Sequence, residues 1–62
     1  MPKKFERIQM EVYIGENLIT NTSLDVNTFP SGSGILTLLT ANPDATVTVE
    51  AHTTKVVYKV MD

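Results

Sequence analysis

The chain has 62 residues, no cysteine, a single histidine and a formal net charge of −2. A length of that order makes one domain, residues 1–62, and such a domain buries only about 60% of the surface its unfolded chain exposes. No disulfide can staple it, and one histidine without a thiol excludes an ordinary structural zinc site.

Residues 1–7 carry Lys3, Lys4 and Arg7, but no long apolar run follows them. Neither a signal peptide nor a membrane-spanning helix is expected, so the sequence reads as a cytoplasmic protein with no membrane partner. Asn21-Thr22-Ser23 matches a glycosylation sequon and, without a secretion signal, reads as chance.

Phe5–Ile14 alternates with period two. Ile8, Met10, Val12 and Ile14 share one face, and Arg7, Gln9, Glu11 and Tyr13 share the other. That is a half-buried strand. Gly15-Glu16-Asn17 supplies a turn, because Gly15 and Asn17 tolerate positive φ. Leu18–Val26 forms the second strand of a hairpin. Its expected inner face is Leu18, Thr20, Thr22, Leu24 and Val26, less apolar than the first, as an edge strand's can be. Residues 27–34, rich in Gly, Ser and Pro, read as a flexible connector with Phe29 tucked back onto the core.

Ile35–Ala51 is the most strongly patterned stretch. Asn42-Pro43-Asp44-Ala45 breaks it: Pro43 suits position i+1 of a type I turn, and Asn42 and Asp44 favour the flanking positions. Thr46–Ala51 then alternates as a strand with Val47 and Val49 inward. The segment before the break has two readings. As a helix over about 33–41, Ser33 caps it and Ile35, Leu38 and Leu39 form the inner face, although the capping box lacks its acidic partner. As a strand it would be supported by Thr37 and Thr40. His52-Thr53-Thr54 makes a short turn. Lys55–Val60 is the final strand, with Val56, Tyr58 and Val60 on one face and Lys55, Val57 and Lys59 on the other.

With the central helix, the order is ββαββ: an α+β, mainly β domain in which one short helix packs on a four-stranded antiparallel sheet. The alternative is an all-β five-stranded meander or small barrel.

Catalysis needs a positioned acid, base, nucleophile or metal. The carboxylates Glu6, Glu11, Glu16, Asp25, Asp44, Glu50 and Asp62 form no motif, and His52 beside Thr53 and Thr54 reads as a turn residue. Ser31-Gly32-Ser33-Gly34 before a helix could form an anion nest, but no Lys-Ser/Thr follows as in a P-loop. Ser33–Thr40 followed by Val47–Ala51 is similar to the second helix and following strand of the HPr-type phosphocarriers. That family's phosphorylated histidine lies in a Gly-Leu-His-x-Arg-Pro motif. Glu16–Thr20 stands in its neighbourhood here without histidine or arginine, so the activity does not carry over. No enzyme activity, cofactor, metal site or small-molecule substrate is expected.

Charge placement remains. The basic residues Lys3, Lys4, Arg7, Lys55 and Lys59 lie at the two ends, and only acidic charges lie between Ile8 and Thr54. If the first and last strands are neighbours, Arg7, Lys55, Lys59 and Tyr13 share the open face of the sheet. The expectation is a small protein-interaction module, an inhibitor, adaptor or structural subunit. It would bind a protein partner or itself, as a homodimer, through a sheet face or edge made of Arg7, Tyr13, Ile19, Lys55, Val57 and Lys59. A nucleic-acid-binding sheet using the terminal basic residues is the alternative, disfavoured by the acidic middle.

Overall fold

A computed structural model describes residues 5–29, 32 and 34–61. The elements run β1 (Arg7–Ile14), β2 (Asn17–Asp25), α1 (Ile35–Ala41), β3 (Thr46–Ala51) and β4 (Thr54–Val60). The strands form one antiparallel sheet in the order β2-β1-β4-β3, so the architecture is the ββαββ one. Two hairpins lie back to back. β1 and β4 make the central seam, β2 and β3 are the edges, and the segment carrying α1 crosses one face from edge to edge.

The local chemistry explains the turns. Ile14 pairs with Asn17, which leaves Gly15-Glu16 as a two-residue turn, and Gly15 takes φ 63. Positive φ at the first central position suits a hairpin, because primed turns match the strand twist. Ala51 pairs with Thr54, so the second hairpin turn is His52-Thr53, one residue shorter than expected. His52 adopts φ 55 there, in the left-handed region that histidine enters more readily than most side chains. The Gly15 N–H donates to the Thr53 carbonyl at 2.8 Å, joining the two turns. The Asn42–Ala45 turn forms as its residues dictate, with the Ala45 N–H on the Asn42 carbonyl at 2.9 Å.

The helix starts later than residue 33. Its N-cap is Gly34, at φ 82, and no side chain caps it. Ser33, the expected cap, lies outside the described residues. The inner face is also different: Ile35, Leu36 and Leu39 turn inward, and Leu38 is exposed. Leu36 at i−3 and Ile35 at i−4 lie on the same side of the helix as Leu39, which is its one fully buried residue. Thr40 tolerates the helix by donating its hydroxyl to the Leu36 carbonyl at 2.7 Å.

Residues directly opposed in an antiparallel sheet share a face. On the helix side the register gives four rows across the sheet. They are Leu24/Ile8/Val60, Thr22/Met10/Tyr58/Val47, Thr20/Val12/Val56/Val49 and Asn17/Ile14/Thr54/Ala51. The core sits at one end of this face. Ile8, Phe29, Leu39 and Val60 are buried, with Phe5, Leu24, Val26, Ile35, Leu36, Val47 and Tyr58 packed around them. Phe29 does tuck in, its ring edge-on to Tyr58 with centroids 5.4 Å apart. The start of the connector is fastened: Asp25 accepts the Asn27 N–H on its carboxylate, and the Thr28 and Phe29 N–H groups on its carbonyl. Pro30 and Ser31, further along it, lie outside the described residues.

Candidate interaction surface

The face opposite the helix is built from the other residues of the same alternation. Its rows are Asp25/Arg7, Ser23/Gln9/Lys59/Thr46, Asn21/Glu11/Val57/Thr48 and Leu18/Tyr13/Lys55/Glu50. The pairing of β1 with β4 brings Arg7, Tyr13, Lys55, Val57 and Lys59 onto this one surface. The sequence had put them at opposite ends of the chain.

Ile19 is placed differently. The register passes from Val12 opposite Thr20 to Tyr13 opposite Leu18, so Ile19 is the extra residue of a β-bulge on the edge strand. It is 57% exposed. The bulge also corrects the expected inner face of β2, because Leu18 stands across from Tyr13 and not in line with Thr20, Thr22 and Leu24. One inserted residue reverses the alternation beyond it.

The Lys55 ammonium lies 4.8 Å from the centroid of the Tyr13 ring. That distance is within cation–π range, worth about 0.5–1 kcal/mol at an exposed site. The Tyr13 hydroxyl points to a Glu11 carboxylate oxygen at 3.4 Å. Gln9 donates its amide to Asn21 at 2.9 Å across the β1–β2 pair, and the Ser23 hydroxyl reaches the Met61 sulfur at 3.3 Å. Side-chain contacts therefore link Gln9 to Asn21, Ser23 to Met61, and Tyr13 to both Glu11 and Lys55 on this face.

Its charges do not form a patch of one sign. Arg7 opposes Asp25, Lys55 opposes Glu50, and Glu11 lies in the row between those of Lys59 and Lys55. Cations and anions alternate at strand spacing, roughly 5–7 Å. Lys3 and Lys4 lie outside the described residues.

A hollow of about 280 Å³ at the turn end is lined by Gly15, Glu50, His52, Thr53, Thr54 and Lys55. All of these except Lys55 are exposed, so the imidazole and hydroxyls stand in water and nothing there shields a reacting group. Among the described residues, no group of three His, Cys, Asp or Glu side chains is placed to hold a metal ion. No helix among the described residues is long and apolar enough to cross a membrane. The chain matches no family model, no curated protein and no solved structure.

Proposed function

We propose that the protein is a non-enzymatic interaction module, an inhibitor, adaptor or structural subunit, that binds a protein partner through the sheet face opposite the helix and also self-associates. The observation that carries this reading is the convergence of Tyr13, Val57 and Arg7 on a face whose cations and anions alternate. Tyr and Arg are the side chains that most often dominate interface energetics, and Val57 gives the face an apolar centre. Alternating charge suits a protein surface of matching pattern, which it would orient and whose encounter it would steer. A phosphate backbone would meet Glu11, Glu50 and Asp25 wherever it met the three cations.

The test is capture from native lysate by the wild-type chain and by Val57→Asp, each followed across a salt series. Val57→Asp changes one side chain on this face, and its far-ultraviolet circular dichroism should match wild type. Co-purifying protein that persists at physiological salt and is lost in Val57→Asp supports the reading. An oligonucleotide bound at physiological salt and lost in the Lys55→Ala/Lys59→Ala double variant overturns it. Three phosphate contacts would give a log–log salt slope of about −2.7.

A further inference from the structure

The two margins of the sheet are finished differently. On β2 the Asp25 carbonyl, directed away from β1, accepts the Thr28 and Phe29 N–H groups, and the bulge at Ile19 interrupts the edge nearer the turn. β3 has neither device. Its sequence TVTVEA holds no proline and no lysine, its register against β4 is unbroken, and all its residues except Val47 are exposed. An unbroken, β-branched edge without such guards is a template for a further strand.

The hydrogen-bond parity shows which groups are free. The Met61 N–H donates to the Arg7 carbonyl, so Lys59, Val57 and Lys55, at alternate positions along β4, bond to β1. Tyr58, Val56 and Thr54 then bond to β3, through Val47, Val49 and Ala51. Thr46, Thr48 and Glu50 direct their N–H and C=O groups outward, and these groups have no partner among the described residues.

We infer that β3 pairs antiparallel with β3 of a second copy about a two-fold axis through Thr48, joining two four-stranded sheets into one. This rests on the self-association part of the proposed function and names the element that carries it. The free groups are symmetric about Thr48. Thr46 falls opposite Glu50 of the other copy and Thr48 opposite Thr48, so every outward residue exchanges both of its hydrogen bonds. On the helix side Val47 meets Val49, an apolar pair. Glu50 is the one charge of β3, and the two-fold sets it about 14 Å from its copy, beyond the screening length at physiological salt. A slip of one residue would set outward groups against inward ones. Both helices therefore lie on one side, and the two open faces continue into each other across Val57/Thr48/Thr48/Val57. A foreign strand would have to reproduce this spacing of small β-branched residues, which the second copy already carries. Paired edges about 20 Å long and 10 Å deep remove on the order of 400 Å², so main-chain hydrogen bonds hold the pair and the association is weak and reversible.

Sedimentation equilibrium and amide hydrogen exchange, followed from about 10 μM to about 1 mM, test this on wild type, Thr48→Pro and Val49→Lys. Wild type should approach twice the chain mass at the upper end. The amides of Thr46, Thr48 and Glu50 should gain protection along the series, and those of Asn21 and Ser23 on β2 should not. Thr48→Pro removes an N–H that no strand of the single copy uses, a position where an edge strand tolerates proline. The two-fold repeats the loss, so self-affinity should weaken by on the order of thirtyfold. Val49→Lys sets a cation against Val47 of the other copy and should also weaken the pair; it supplies the reading if the proline variant does not fold by circular dichroism. Protection that appears on Asn21 and Ser23 instead overturns the inference. A dimer that withstands both variants and is dispersed by Val57→Asp overturns it too, and leaves self-association standing through the open face. A wild type that stays monomeric throughout the series ends both.

Discussion

Leu38 and Leu39 are adjacent, chemically identical and in one short helix, yet truncating them should have very different costs. Leu39 is fully buried among Ile8, Phe29 and Val60. Leu39→Ala removes its side-chain carbons from a core with few other members, and such truncations cost about 2–5 kcal/mol, the lost transfer energy plus the cavity left behind. At roughly 0.05–0.15 kcal/mol per residue, a chain of 62 residues has about 3–9 kcal/mol of stability in total. A loss of about 3 kcal/mol would therefore consume between a third and all of it. The melting temperature should fall by about 12–24 °C, at 4–8 °C per kcal/mol for a domain of this size. Leu38→Ala should cost under about 1 kcal/mol, because more than half of that side chain is already in water. Thermal unfolding at a protein concentration dilute enough to keep the chain monomeric measures both as losses of the fold itself. Equal losses would refute the placement of the helix, since only a different rotation about its axis would bury both side chains alike.

The hairpin turns give two further tests by chemical denaturation. His52→Gly should stabilise by about 0.5–1 kcal/mol, because relief of a left-handed backbone worth about 1–2 kcal/mol exceeds the added flexibility of the unfolded chain; a loss of stability would show that the imidazole makes a contact that matters. Gly15→Ala should destabilise by about 1 kcal/mol from backbone conformation alone, since a Cβ built at Gly15 meets nothing within 4 Å and φ is 63. A neutral result would mean that the turn relaxes at no cost.

Much of this fold was legible because the strands announce themselves. The alternation of Ile8, Met10, Val12 and Ile14 assigned their shared face, and Pro43 fixed the break before β3. The open-face set Arg7, Tyr13, Lys55, Val57 and Lys59 followed from the same period once β1 and β4 were taken as neighbours. The bulge was not legible, because an extra Ile19 in a strand changes no local propensity and shows only against its partner strand. The phase of the helix was equally hidden. Over seven residues, Ile35, Leu36, Leu38 and Leu39 fit more than one inner stripe, and the sheet beneath selects between them. The interleaving of Glu11 with Lys55 and Lys59 came from register alone, which no single segment encodes.

The seam between β1 and β4 has a consequence for how the chain comes to be folded. Ile8 meets Val60, and the Met61 N–H reaches the Arg7 carbonyl at 3.0 Å, so the middle of the sheet is made from strands that leave the ribosome furthest apart. The β1–β2 hairpin must wait in isolation, and a lone two-stranded hairpin is marginal in water. Closing so long a loop is paid before any central contact forms, which places the chain among slow, high-contact-order folders for its size. Loss of β4 from a shortened product would remove the centre of the sheet and not its margin. Such a product would expose the inner flank of β1 and leave β3 without a partner strand.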